Sequence, residues 1–264
     1  MTCTRVIALA CSVIVASPAL AQAPDTDSDT TTFRLPAVRV EVSRLGVGGI
    51  PLARTPFGAS VIGAEELQRS PSLTIADALG RLPGVSLADE LGSAYQPDLT
   101  LRGFSVSPVV GLPQGVSVFV DGVRINEPDA SQVNFTLVPF ADLDRIEVLR
   151  GPSGPFGKNT LGGAVNLVTR RGGPQPFANA EASFGSFGQI EGRAQVGGQR
   201  GAFDYYVSGR YRQDDGWRDA AYTRTAQVFA KGGWTNGTTD VWLSYTFATD
   251  SLLQAGSVPI TWLQ

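Results

Sequence analysis

Gly157 and Lys158 are the residues of this sequence that most suggest chemistry, because a glycine-lysine pair closes the loop with which many proteins hold phosphate. That motif also needs glycine at position 152 and serine or threonine at position 159. The chain has Pro152 and Asn159 at these positions, so the spacing excludes a phosphate-binding loop of this kind.

Signals for acid, base or nucleophilic catalysis are equally weak. Ser153 lies in the sequence Gly-Pro-Ser-Gly-Pro, which lacks the closing glycine of a serine-nucleophile elbow. The chain contains no histidine, and this removes the commonest general base and the commonest transition-metal ligand. An enzyme would need a buried carboxylate pair such as Asp142 and Asp144. We therefore predict that the protein is not an enzyme and that it uses no cofactor.

Charge and the N-terminal segment limit the partners and the compartment. The chain has 21 basic and 24 acidic residues, a balance that gives no support for nucleic-acid binding. The N-terminal residues have the pattern of a secretory signal: a positive charge at Arg5, an apolar run over Val6–Ala16 and the small-x-small cleavage site Ala19-Leu20-Ala21. We expect cleavage after Ala21. A membrane anchor is one alternative, although the run is too short for ~30 Å of hydrocarbon. A lipoprotein signal around Cys11 is another.

A polar lead and one alternating segment follow the signal. Residues 22–33 are rich in threonine and aspartate and predict a disordered lead. In Pro36–Arg44, valines alternate with polar residues, which predicts a strand. An exposed strand after a flexible lead is able to add itself to the edge of a partner's sheet. The alternative is that this strand is simply the first of the next domain.

Short strands and short helices over residues 55–172 predict an α+β domain. A helix is expected from Ser72 to Leu82, where Pro83 and Gly84 stop it. Asp121 and Gly122 predict a type I′ hairpin turn. The other predicted elements are strands at Ser60–Ile62, Val85–Leu87, Asp98–Arg102, Val116–Val120, Val123–Ile125, Arg145–Arg150 and Ala164–Thr169, a helical turn at Ala64–Arg69 and a helical connection at Pro139–Asp144.

From Phe177 onward the sequence alternates with a period of two and predicts five consecutive strands. Several are about ten residues long, the length that a tilted strand needs to cross a bilayer. One face carries Phe203, Tyr205, Val207, Val228, Leu243 and Tyr245, and the other carries Asp204, Tyr206, Ser208, Arg210, Arg212, Gln227, Phe229 and Lys231.

A soluble sandwich also alternates, but aromatic residues near the strand ends favour membrane strands. Short turns at Gly197–Gly201 and Thr235–Thr238, with longer connections at Gln213–Thr223 and after Thr249, point the same way. Five strands do not close a barrel, and an open edge in lipid leaves backbone groups unpaired. We therefore expect the N-terminal portion of a longer protein, or a truncated product.

Four motifs, in order along the chain, resemble those of the plug domain of TonB-dependent outer-membrane receptors. They are ADALGRLPGV (Ala76–Val85), LTLRGF (Leu99–Phe104), VSVFVDGVRI (Val116–Ile125) and RIEVLRGPSGPFGKNTLGGAVNLVTRRG (Arg145–Gly172). Phe156 stands where tyrosine is commoner in the family, which keeps the ring and loses the hydroxyl.

The resemblance implies an α+β plug domain followed by antiparallel transmembrane β-strands of an incomplete outer-membrane β-barrel. The expected parts are a signal peptide (1–21), a periplasmic lead with a TonB-box-like strand (22–54), the plug (55–172) and the first barrel strands (177–264). The implied function is energised uptake of a scarce ligand across the outer membrane. An iron-siderophore complex is preferred over haem, cobalamin or a sugar, and the implied partners are TonB, outer-membrane lipid and this small ligand. The alternative is a truncated, non-transporting plug module that acts as a periplasmic binding or interaction protein.

The resemblance also assigns roles to individual positions. The TonB-box-like residues are Val38, Arg39, Val40, Glu41 and Val42. The plug-motif residues are Arg102, Gly103, Asp121, Gly122, Arg145, Glu147, Arg150, Gly151, Pro152, Gly157, Gly162, Gly163 and Asn166. Candidates for plug–barrel ion pairs are Arg102, Arg145, Arg150 and Arg171. Tyr95, Trp217 and Arg218 are candidates for facing the ligand, in or beside the loops 88–96, 104–114 and 213–223.

Overall fold

A computed structural model describes residues 39–40, 50–51, 58–69, 74–88, 95–106, 115–128, 133–152 and 156–253. Several expectations lie outside these residues. They are the signal peptide and its cleavage site, the polar lead, Val38, Glu41 and Val42 of the box-like strand, most of the two plug loops and the segment after residue 253.

The first domain, residues 58–169, is built on a mixed five-stranded sheet. Its strands, in the order in which they pair, are β3 (Gly58–Gly63), β9 (Leu143–Arg150), β10 (Gly163–Thr169), β7 (Val116–Val120) and β8 (Val123–Arg124). Strand β9 is antiparallel to β3 and β10, whereas β10 and β7 are parallel. Both faces of β9 and β10 are covered, and most of their side chains are buried.

Smaller elements cover this sheet and complete its core. They are helices α1 (Ala64–Arg69) and α2 (Ile75–Leu79), two 3-10 turns (Phe135–Leu137 and Phe140–Asp142), and a second sheet of β4 (Val85–Ala88), β5 (Asp98–Leu101) and β6 (Phe104–Ser105). Ile75 and Leu79 of α2 pack in one apolar cluster with Ile146 and Leu167 of the sheet. Before the domain, β1 (Arg39–Val40) pairs with β2 (Ile50–Pro51). Within the described ranges, no helix is long and apolar enough to cross a membrane.

The helix expected from Ser72 to Leu82 is shorter than predicted. In the structure it ends at Leu79, and the amide of Leu82 donates to the Leu79 carbonyl at 3.0 Å, three residues back. The chain then turns at Gly84, which has φ +81°. The regular helix therefore ends before Pro83 and Gly84, and the residues between them and Leu79 form a tighter turn.

Gly162 and Gly163 allow the loop before β10 to pack closely. A Cβ at Gly163 would overlap the Leu149 carbonyl oxygen, and its φ of +149° also disfavours a side chain. At Gly162, a Cβ would lie 2.6 Å from the Phe104 ring. The glycine pair thus brings this loop against both β9 and the second sheet.

Residues 177–252 form a five-stranded antiparallel meander in chain order, as the alternation predicts. Its strands are β11 (Phe177–Phe184), β12 (Ile190–Arg200), β13 (Phe203–Asp214), β14 (Thr223–Thr235) and β15 (Asp240–Leu252).

The meander strands are longer than predicted. The turn expected at Gly197–Gly201 shortens to two residues, because Arg200 still pairs with Phe203 and Gly201 has φ +61°, as tight hairpin turns require. The connection expected at Gln213–Thr223 lies between Asp214 and Thr223, which themselves pair. Strand β15 continues past Thr249 to Leu252.

The two faces of the meander differ as the sequence predicts. On the face toward the first domain, Tyr206 is 0% exposed and Lys231 is 5% exposed. On the opposite face, Val207 is 41% exposed and Leu243 is 79% exposed. The first domain therefore covers the polar face of the meander and leaves the apolar face open.

Candidate functional site at the interface of the first domain and the meander

Asp121 joins three elements at this interface. It occupies the β7–β8 turn with φ +48°, a left-handed conformation that aspartate tolerates. One carboxylate oxygen accepts from the Thr169 amide at 2.9 Å. The other accepts from the Thr169 hydroxyl at 2.5 Å and lies 3.0 Å from the Lys231 ammonium of β14. Both charged side chains are 4% exposed, so this is a buried ion pair with further hydrogen bonds.

Asp142 forms a second buried contact with the meander. It lies in the 3-10 turn before β9 and accepts a hydrogen bond from the Tyr206 hydroxyl at 2.7 Å. The Arg193 guanidinium lies 3.6 Å from the same carboxylate and also donates to the Ala141 carbonyl. The start of β9 is thus bonded to β12 and β13.

The two acids that an enzyme would have needed as a pair are in separate networks. The Asp144 side chain is 48% exposed and pairs with Arg145 at 3.1 Å. Asp142 is buried and bonded to Tyr206. They share no partner among these contacts and do not form a pair.

Arg171, between β10 and β11, binds two strands of the meander at the point where the chain leaves the first domain. Its guanidinium lies 2.6 Å from the Asp204 carboxylate of β13 and 2.7 Å from that of Asp240 in β15. The hydrogen bonds that Arg171 donates to Asp204, and then those to Asp240, hold the pKa of Arg171 above its ordinary value.

The other three arginines expected at this interface are placed elsewhere. Arg145 binds Glu147 at 2.8 Å, and Arg150 donates to the Ser60 hydroxyl at 2.5 Å, so both act inside the first domain. Arg102 lies in an exposed turn with φ +52°. Lys231 and Arg193, which lie on the meander, make the contacts with the first domain that had been expected of these arginines. The sequence marks both only as charged residues on the polar face of a strand.

The remaining plug-motif residues hold the sheet and its loop together. Glu147 is 0% exposed and accepts from both Arg145 and the Asn166 amide, the latter at 2.9 Å. The Gly122 amide donates to the Asn166 side chain at 3.3 Å, and the Gly151 amide to the Gly162 carbonyl at 2.9 Å. Gly103 lies in the turn beside Arg102, and Pro152 and Gly157 are exposed.

Of the residues expected to face a ligand, Tyr95 lines a cavity at the interface. The Arg212 guanidinium lies 4.4 Å from the centre of its ring, and its hydroxyl is 3.4 Å from the Asp214 carboxylate. Burial raises the pKa of the Tyr95 hydroxyl to about 12. Trp217 is 64% exposed in the connection after β13, where Arg218 stacks on it at 4.4 Å.

In the described part of the chain, no group of three His, Cys, Asp or Glu side chains could hold a metal ion. The contacts above are instead those of a docked domain. They place a small α+β domain against the polar face of strands whose other face is apolar.

This arrangement has the fold of a plug domain packed against antiparallel strands that match a TonB-dependent receptor barrel. Residues 51–164 match the family model described as the TonB-dependent receptor plug domain.

The chain is similar to three known proteins. The vitamin B12 transporter BtuB of Vibrio vulnificus is 31% identical over 120 residues, which is 45% of this chain and 18% of the relative. The ferric yersiniabactin uptake receptor FyuA of Yersinia pestis superposes with a TM-score of 0.60 at 24% identity, over 75% of this chain and 32% of the receptor. The ferric preacinetobactin receptor BauA of Acinetobacter baumannii gives a TM-score of 0.62 at 21% identity, over 77% of this chain and 29% of the receptor. The chain thus spans less than a third of the length of each of these proteins.

Proposed function

We propose that this protein acts in the bacterial outer membrane as a receptor for TonB-energised uptake of a scarce ligand, and that the ligand is an iron-siderophore complex. One observation carries the proposal: the plug is bonded through buried charged groups to the polar face of strands whose opposite face is exposed and apolar. The chemistry required is binding and movement, with no covalent step.

The exposed face of the meander supports a place in lipid. Phe203, Leu243 and Tyr245 are 64%, 79% and 61% exposed and lie on the same side as Val207. A continuous apolar surface of this kind marks contact with lipid or with another protein. The signal peptide predicted over residues 1–21 agrees with export to the outer membrane.

Arg39 and Val40, the described residues of the box-like segment, already have the extended conformation that strand addition requires. Arg39 pairs with Pro51 and Val40 with Ile50 in a short antiparallel ladder. A strand of TonB would compete with Ile50–Pro51 for this edge, because strand addition uses the same backbone groups. TonB is therefore the proposed periplasmic partner.

The sheet order indicates which part of the plug a pull would move. Tension applied at Val40 passes through Pro51 to β3, an edge strand whose one neighbour in the sheet is β9. The strands behind it are fastened to the meander through Asp121, Asp142 and Arg171. We infer that β3 leaves first and that the rest of the sheet stays docked.

The names of the structural neighbours support iron as the cargo. FyuA and BauA are both described as receptors for ferric siderophores. The BtuB relative makes cobalamin the competing ligand. Iron would enter as substrate inside its chelator, so no metal site in the chain is required.

Substituting Val40→Pro tests the function. Proline removes the backbone N–H at this position, so the strand can no longer pair normally with TonB. We expect uptake of radioactive iron by iron-starved cells to fall to the level of a gene deletion, while binding of the ferric siderophore at the cell surface persists.

Asp27→Pro, in the polar lead, is the matched control and should leave uptake unchanged. Normal iron uptake by Val40→Pro cells would contradict the proposal. If the deletion strain kept iron uptake but lost cobalamin uptake, the ligand would be cobalamin and the proposed mechanism of uptake would stand.

The soluble plug module is tested by solubility. On the present proposal, the mature chain needs detergent to remain dispersed, because the meander exposes its apolar face. A monodisperse chain in detergent-free buffer would favour the periplasmic module instead.

A further inference from the structure

A cavity of about 40 Å³ lies between the plug and strands β13 and β14. Its polar lining comes from both sides, and it is closed in part by Ile75 and Phe135. At roughly 10–15 Å³ for one water-sized group, it has room for about three or four non-hydrogen atoms. The polar residues of the lining are Thr74, Tyr95, Thr136, Arg210, Arg212, Thr225 and Gln227.

Two arginines at this cavity have donors that the described residues leave unpaired. Glu191, opposite Arg212 on β12, accepts from Arg210 Nε at 2.8 Å and lies 3.3 Å from Arg212 Nη1. Arg210 Nη2 and Arg212 Nε are buried, and neither has a hydrogen-bond partner in the part of the chain that the structure describes. A buried donor without an acceptor is costly, which argues for a ligand that accepts.

The charges of the lining are unbalanced. Arg210 and Arg212 are its charged members, and the one carboxylate bonded to both of them is Glu191. Two more carboxylates lie nearby but accept from neutral donors. Asp214 accepts from the Tyr95 hydroxyl and the Gly216 amide, and Asp250 accepts from the Thr136 hydroxyl at 2.7 Å. Among the described residues, the wall of the cavity itself carries two guanidinium groups and no carboxylate.

We propose that this cavity binds a small monovalent anion, of the size of a halide, through Arg210 Nη2 and Arg212 Nε. Water would satisfy the two donors, but an anion accepts a stronger hydrogen bond from a charged donor than water does. The hydroxyl of Thr225 lines the same space and offers a further donor. The anion would be a resident part of the plug–strand interface and not the transported ligand, so the proposal does not depend on iron uptake.

Bromide is the probe. The thermal unfolding midpoint of the purified chain in detergent is followed as bromide increases, at constant ionic strength made up with methanesulfonate, an anion too large for the cavity. We expect the midpoint to rise and saturate. In Arg212→Gln the bromide needed for half the rise should increase at least about ten-fold, since a charge-assisted hydrogen bond is lost.

Arg224→Gln is the matched control, because Arg224 lies on β14, is exposed and pairs with Gln213. It should respond as the unaltered chain does. The same bromide response in Arg212→Gln and Arg224→Gln would overturn the proposal.

Crystals of the unaltered chain in saturating bromide give a second test that does not depend on a variant. An anomalous bromine peak between Arg210 and Arg212 is the expected result. Water density there without a bromine signal would overturn the proposal.

Discussion

Burial, rather than distance, decides which charged residues hold the plug to the strands. The Arg171–Asp240 contact is shorter, at 2.7 Å, than the Lys231–Asp121 contact at 3.0 Å. Asp240, however, has a side chain that is 50% exposed, whereas Asp121 and Lys231 are 4% exposed. Solvent weakens the first pair and leaves the second almost unscreened.

Substituting Asp121→Asn should therefore be much more damaging than Asp240→Asn. Removing one partner of a buried pair leaves the other charge uncompensated, at a cost of about 3–5 kcal/mol. Loss of the exposed contact should cost less than about 1 kcal/mol. The measurement is the free energy of unfolding from urea titration in detergent, followed by tryptophan fluorescence.

The double variant Asp121→Asn with Lys231→Met separates the ion pair from a general loss of packing. It should be more stable than the sum of the two single variants predicts, because the stranded charge is gone. Strict additivity would show that the two residues do not act as a pair.

Among the elements, those with a regular period were predictable and those set by packing were not. Alternation fixed the faces of β13 and β14, since a one-residue shift would expose Lys231 to the apolar side. Asp121 and Gly122 correctly marked their turn, because few residues tolerate its positive φ values. The stop signal at Pro83 and Gly84 overestimated the length of α2, because the end of such a short helix depends on its tertiary contacts.

The candidate site was predictable in location but not in its pairs. Asp121 and Lys231 are 110 positions apart, and nothing in either neighbourhood indicates the other. The resemblance suggested four plug arginines for ion pairs with the barrel. Arg171 contacts the meander, whereas Arg145 and Arg150 bind within the first domain. The pairs depend on how two separately folded surfaces meet, which sequence periodicity does not encode.

Linking β3 to β9 tests which strand moves. Ala59 and Leu149 are register partners, so cysteines at both positions should form a disulfide across the ladder. Since β3 is the strand proposed to leave under tension, oxidation should abolish iron uptake, and a reductant should restore it. Cysteines at Ala230 and Tyr245, register partners in β14 and β15, are the matched control and should leave uptake intact. Undiminished uptake with β3 linked would place the movement elsewhere in the plug.

At the scale of the whole molecule, one sheet is shared between two environments. Its inner residues are covered by the plug through groups such as Tyr206 and Lys231, and its outer residues, such as Leu243, are exposed and apolar. The proposed uptake, TonB binding and membrane location all depend on this two-sided arrangement.

Cysteine labelling along β13 tests it most directly. Cys3 and Cys11 both lie in the predicted signal peptide, so single cysteines in the mature chain can be read without interference. In isolated outer membranes, Val207→Cys should react with a lipid-soluble maleimide, and Ser208→Cys, at a position 4% exposed beneath the plug, should stay unlabelled until the protein is unfolded. Equal labelling of the two cysteines, or labelling of Ser208→Cys alone, would contradict the account.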